Sequence, residues 1–374
     1  MDELRVMCVA KRWVHHTASG GYDQLAGAVG AEVVPRRTGR SIPARAAARL
    51  WRLVSHPKPY LVDYRYEDWL AEVYVLARSR CRRPDVVHLL YGDEQLDLLL
   101  RRRQLLSCPL IATFHRVPHK VRERFEETQK RLVSGIDVAV VVARNQLQSF
   151  RNWLGPDRVI YVPHGIDTDR FCPSERELRR EHVRLITVGY QMRDWKALDE
   201  IIDRCQARKL AVRFDIVCSG DGLGWKLPQD EQDRISRWAN LPNVDFHRRI
   251  PEEHLIRLYR EADALLLPVH DATANNSALE ALACGTPVIS TKVGGMPDYV
   301  DNTCGWLFEK GEVAGIVRLI GDICCEPEIV SSRRSAARSK GLLFSWTRVA
   351  AKMRMVYDAV AHHRCLEVAD AEWQ

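Results

Sequence analysis

Short apolar runs of strand length alternate with helix-patterned stretches along almost the whole chain. In the first half they are Arg5–Ala10, Val86–Leu89, Leu110–Thr113, Val138–Val142 and Val159–Val162. In the second half they are Leu185–Val188, Phe214–Cys218, Val244–Phe246, Ala264–Pro268 and Val288–Ser290. Unbroken runs rich in Val, Ile and Leu suit strands covered on both faces. Helix-length connections let successive strands run parallel.

Two such sets in 374 residues predict an α/β protein of two Rossmann-like lobes, with parallel sheets facing a central cleft. At roughly 100–200 residues per domain the length fits two. Hydrophobic and charged contents of 46% and 28% belong to a globular protein with ample core. No apolar run approaches the ~18 residues of a membrane span. The opening MDELRVMCVAKRW is charged early and enters a strand at once, unlike a secretory leader. A cytoplasmic protein is expected. The seam falls where YVPHGIDTDRFCP (161–173) brings Pro and Gly and SERELRREH (174–182) is charged without core pattern. The domains are therefore drawn as 1–165, 166–345 and a terminal helical segment, 346–374, since LLFSWTRVAAKMRMVYDAVAHH after Gly341 reads as helix.

Residues 262–300 carry the strongest functional signal. Leu265–Leu267 is a strand stopped by Pro268, and polar His270–Asn276 follows. Ala278–Ala283 then reads as helix, punctuated by Gly285 and Pro287 before Val288-Ile289-Ser290. Glu280 is thereby placed near a helix start at the carboxyl end of a strand, where open α/β sheets bind their ligands.

The same segment, with LEALACGTPVIS and Gly294-Gly295, resembles the donor-binding signature of the retaining family 4 glycosyltransferases, whose fold is GT-B. YVPHGIDTDRFCP resembles their inter-domain segment. The resemblance implies a terminal helix that crosses back onto the first lobe. It also implies a carboxylate pair on the donor. Glu280 is the second member, facing ribose hydroxyls, while the first position holds Ala272, leaving Asp271 or the Asn275-Asn276 pair as stand-ins. The N–H groups of Asn275, Asn276 and Ser277 would face the phosphates.

Further positions follow from the resemblance. Gly189-Tyr190 stands where the family has Gly-Arg, with Lys196 six residues on and Arg193 between as substitute cation. Two cations suit a departing diphosphate, because fixed positive charge in a dry site lowers the barrier to its departure. Gly220 in Gly220-Asp221-Gly222 resembles a donor turn, although Gly224 comes too early for a dinucleotide fingerprint. Arg248 takes the family's base-lining glycine position and Ile250 would face the base. In the first lobe, Gly20 and Gly21 resemble a phosphate loop before a helix from Tyr22. His115, closing Leu110–Thr113, would meet the donor sugar or orient the acceptor, and His88 is given a structural or acceptor-side role.

Other signals are weaker. Eleven cysteines without a C-x-x-C suggest neither zinc nor a disulfide framework. Asp167-Thr168-Asp169 lies inside the hinge segment, and His15-His16 lacks partners at ligand spacing, so no metal is expected. A net charge of +7 suits a phosphate-bearing ligand, and nucleic acid is not an expected partner. Within Pro43–Val54, Ala47, Leu50, Trp51 and Val54 share one helical face. That pattern fits an ordinary lobe helix, or one lying on the inner face of a membrane.

The reading is a retaining, metal-independent transfer of a sugar from a nucleotide-sugar to a hydroxyl acceptor, with no cofactor. Alternatives are a nucleotide-sugar epimerase or hydrolase of the same fold, or a non-catalytic nucleotide-sugar binder.

Overall fold

The computed structural model of the protein describes residues 4–12, 19–34, 64–125, 133–174, 181–218 and 228–366. These fall into two compact units. One holds the residues through Arg12, Tyr22–His164 and those from Trp346 onward. The other holds Ser19–Gly21 and Gly165–Ser345.

The first unit contains β1 (Val6–Val9), β2 (Glu32–Val34), β3 (Val86–Leu89), β4 (Leu110–Phe114), β5 (Val138–Val141) and β6 (Val159–Tyr161), ordered β2-β1-β3-β4-β5-β6. Every pairing is parallel. Both faces of the central strands are buried: Leu89, Leu110, Ala112 and Val141 on one, where Phe114 packs on Phe150 at 4.6 Å, and Ile111 and Val140 with the polar His88 and Thr113 on the other.

The second unit contains β7 (Val183–Val188), β8 (Val212–Val217), β9 (Val244–His247), β10 (Ala264–Leu267), β11 (Val288–Thr291) and β12 (Gly305–Phe308), ordered β12-β11-β10-β7-β8-β9. It too is parallel throughout. Leu185, Ile216, Leu266 and Ile289 form its centre. Each such side chain contributes about 1.5–3 kcal/mol by leaving water.

Two edge strands escaped the sequence reading. In β2, Glu32 and Val33 are exposed, so the run has no continuous apolar signal. Strand β12 begins at Gly305, where a Cβ would lie 2.2 Å from Val288 O, so a residue that usually breaks strands is required by the close backbone approach.

The segment after Gly341 is not one helix. A helix Glu328–Leu343 ends there, Phe344 and Ser345 turn the chain, and a second helix runs Trp346–Ala361. Gly341 serves packing instead: a Cβ would stand 2.6 Å from Ala283 N. The helix Trp346–Ala361 belongs to the first unit. It is keyed there by Tyr357, whose hydroxyl lies 2.7 Å from His88 Nδ1, while His88 Nε2 lies 2.7 Å from Thr113 Oγ1.

Burial pushes His88 down to about 3. The unfolded chain takes up a proton near the ordinary pKa of about 6.5 while the folded chain does not. Stability from this group is therefore complete above pH 6.5 and falls as the pH drops toward 3. Urea unfolding at pH 7.5 and 5 should show the wild type losing about 2 kcal/mol more than His88→Asn, the slope approaching about 1.4 kcal/mol per pH unit below pH 6.

Candidate functional site

In the second sheet the winding reverses at β7: the chain adds β8 and β9 on one side, then β10 and β11 on the other. The carboxyl ends of the strands flanking such a reversal form a crevice for ligands. Here those ends run into Gly189–Asp194 after β7 and Pro268–Asn275 after β10. Asp194 N donates to Pro268 O and His270 N to Met192 O, both at 2.9 Å, and Arg193 bridges Val269. The two loops are thus one piece of structure.

Arg193 completes the join. Its Nε donates to Val188 O at 2.9 Å, Nη1 to Gln191 O at 2.9 Å and Nη2 to Ser277 Oγ at 3.1 Å. Gly189, at φ +88°, leaves the room: a Cβ there would meet Arg193 Nη2 at 2.6 Å. Desolvation pulls the guanidinium down to about 10, against the pull of Tyr259, Cys218 and Glu280.

Helix Asn276–Ala283 starts at this junction. Asn275 is its N-cap, accepting from Ala278 N at 3.3 Å. The first-turn N–H groups of Asn276 and Ser277 have no acceptor within the helix, as at any helix start. Glu280 is not at that start but one turn in, the fifth helical residue. It is 5% exposed. Oε2 accepts from Tyr259 Oη at 2.8 Å, and Oε1 accepts no hydrogen bond from the described residues.

Burial pushes the Glu280 carboxyl up to about 7. The Tyr259 hydrogen bond opposes that rise, Glu252 adds to it and Arg193 opposes it.

Asp271 is partly buried and its Oδ1 accepts from Ala272 N at 2.8 Å. Ala272 O accepts from Gly295 N at 2.9 Å, so the Gly294-Gly295 turn lies against the position that lacks the family's first glutamate. Lys196 is exposed on the first turn of helix Trp195–Ala207. Tyr190 stacks on Trp195 with ring centroids 6.4 Å apart. Desolvation and the neighbouring Glu231 raise its phenol pKa, so the ring is directed to the core edge.

Arg248 is exposed, its guanidinium 5.2 Å from the centre of the Phe246 ring. Ile250 is half-buried just past β9, two strands from β7. Asp167 Oδ1 accepts from the backbone N–H groups of Asp169 and Arg170, which accounts for the D-x-D as a turn. Gly220, His15-His16 and the Pro43–Val54 stretch lie outside the described residues.

Gly20 and Gly21 are buried, with Gly21 at φ +103°, and the helix after them starts at Gln24 rather than Tyr22. Next to them Ser19 donates through N and Oγ to Glu252, at 2.8 and 2.9 Å. In the first unit, His115 Nε2 donates to Leu90 O at 2.8 Å. Its ring sits 4.7 Å from Tyr22, 4.8 Å from Tyr91 and 6.1 Å from His164. The His115 backbone N–H is held by Asp93, whose buried carboxyl is pushed up to about 7 by desolvation.

Gly189, Arg193, Asp271, Asn275, Asn276, Ser277 and Glu280 thus gather at the reversal in the second sheet. Tyr259 was missed. It occurs in the amphipathic helix Glu252–Glu261 beside Leu255, Ile256 and Leu258, where a tyrosine reads as core.

Residues 182–325 match the glycosyl transferases group 1 model and residues 23–170 the glycosyltransferase family 4 model. A D-inositol 3-phosphate glycosyltransferase from Geodermatophilus obscurus is 30% identical over 310 residues, covering 74% of this chain and 67% of that protein. One of the same name from Corynebacterium aurimucosum is 26% identical, covering 73% and 71%. Among solved structures, sucrose-phosphate synthase from Thermosynechococcus elongatus superposes with a TM-score of 0.72 at 16% identity, over 96% of this chain and all of that one. Anabaena HepE in complex with UDP and glucose gives 0.70 at 13%, over 95% of this chain and all of that one. At these identities the structural likeness speaks to the fold alone. Two parallel six-stranded sheets, both family models and a 30%-identical relative agree: the chain belongs to the family 4, group 1 glycosyltransferases and is a glycosyltransferase of the GT-B fold.

Proposed function

We propose that this enzyme draws its sugar from a nucleotide-sugar and transfers it with retention to a hydroxyl acceptor. The observation that carries the reading is Glu280: a nearly buried carboxylate with one oxygen uncommitted among the described residues, one turn inside a helix that starts at a sheet reversal. Such an oxygen suits a ribose hydroxyl. The N–H groups of Asn276 and Ser277, with Lys196, supply positive charge toward the diphosphate. Arg193 is tied to backbone carbonyls and Ser277, so its part is to fix the loops as well as to add charge. Asp271 stands in for the glutamate missing at Ala272, and His115 is assigned to the sugar or the acceptor.

In the transfer step the bond from the anomeric carbon to the phosphate oxygen breaks and the acceptor oxygen bonds to that carbon on the same face. The acceptor proton passes to the departing phosphate. Positioning and electrostatics suffice, with no protein nucleophile and no metal.

The relatives named above make D-inositol 3-phosphate the first acceptor to test, and the HepE complex makes UDP-sugars the first donors. Incubation of each donor with and without acceptor is expected to release nucleoside diphosphate only when both are present, giving a product with the donor's anomeric configuration by NMR. Turnover without acceptor would instead favour the hydrolase or epimerase reading. Tight donor binding without consumption would favour a binder.

A further inference from the structure

We propose that Tyr259 is a positioning residue for Glu280: its phenol fixes one carboxylate oxygen so that the other is presented to the ribose. This rests on the reading of Glu280 as the ribose acceptor. Tyr259 is wholly buried in helix Glu252–Glu261 and is held at both ends. Its carbonyl accepts from Thr286 Oγ1 at 2.7 Å, just past the helix that carries Glu280. Its hydroxyl donates to Glu280 Oε2 at 2.8 Å.

The Ser277 hydroxyl lies beside the same phenol and also meets Arg193 Nη2 at 3.1 Å. A polar line therefore runs from the β7 loop through Arg193, Ser277 and Tyr259 to Glu280. No other described residue hydrogen-bonds the Glu280 carboxylate. Without the phenol, a side chain with three rotatable bonds must be ordered by the ligand itself, at the expense of affinity.

The phenol also acts on the proton. The charged and titratable groups facing Glu280 are Tyr259 and Glu252 from one helix, Arg193 from the β7 loop and Cys284 at the end of its own helix. Tyr259 donates to the ionised form and so favours it, while burial and Glu252 favour the neutral form. Removing the hydroxyl leaves burial less opposed, and the carboxyl holds its proton to higher pH.

The test is calorimetric titration with UDP, GDP and ADP, using whichever binds tightest, from pH 5.5 to 9. Tyr259→Phe is expected to weaken binding about 3–10-fold at pH 7. It should also move the acid-side midpoint of binding up by about one pH unit. In a Glu280→Ala background the same change should have no further effect, and Glu280→Gln should keep only the acid-side fall that protonation of the ligand's own terminal phosphate, at about pH 6, brings. An unmoved midpoint in Tyr259→Phe, an undiminished penalty in the Glu280→Ala background, or a Glu280→Gln profile identical to that of the wild type each overturns the proposal. If Glu280→Ala itself binds nucleotide normally, the ribose reading beneath it falls instead.

Discussion

Glu280→Ala is expected to raise the dissociation constant of the donor nucleotide about 10–150-fold, the effect of losing a hydrogen bond to a charged acceptor worth about 1.5–3 kcal/mol. The carboxylate is almost completely buried, so little water competes for its uncommitted oxygen, and the upper part of that range is the expected one. A 2′,3′-dideoxy nucleoside diphosphate provides the control. It should bind wild type as weakly as the ribonucleotide binds the variant, and the variant should not distinguish the two. Calorimetry with the four pairings measures this directly. If the variant still prefers the ribonucleotide by the wild-type ratio, Glu280 does not face the ribose.

Gly294→Ala is expected to destabilise the second unit by about 2–4 kcal/mol. Gly294 has φ +54°, and a Cβ there would lie 2.0 Å from Ala272 O and 2.5 Å from Asp271 Oδ1. The left-handed conformation alone costs an alanine about 1–2 kcal/mol. The overlap with a backbone oxygen adds to this, because Ala272 is itself pinned by Gly295 N. The turn can yield only by pushing the 271–272 segment aside, so nucleotide affinity and sugar transfer should fall together with stability. Thermal melting and calorimetry on the same preparation check this. Unchanged melting would mean that the turn relaxes freely.

The parallel sheets were legible because buried strands such as Val138–Val141 and Ala264–Leu267 are unbroken apolar runs, which few other structures use at that length. Position 280 was legible because the glycine and proline punctuation after Ala283 marks a helix end and a new strand. Its neutral-range titration was not, since that depends on burial and on Glu252, 28 residues earlier in the chain. The role of Arg193 was half legible. Its cationic character is a property of the residue, but its bonds to Val188 O and Gln191 O arise from a loop folding back on its own strand. Tyr259 was hidden for the opposite reason: a ring in an amphipathic stripe carries its hydroxyl unannounced. The helix break at Phe344–Ser345 was likewise concealed, because glycine at 341 answers to the Ala283 backbone and not to its own helix.

The tie between Tyr357 and His88 bears on how the protein is made. The amino-terminal unit lacks its last helix, and with it the partner of a deeply buried histidine, until residues 346–361 have been translated. A ribosome that has completed every strand of the first sheet has therefore not yet delivered a finished unit. Domains usually mature in the order of synthesis; here the first to emerge should be among the last to lock. A nascent chain stalled before Trp346 is expected to be more protease-sensitive in its first half than in its second.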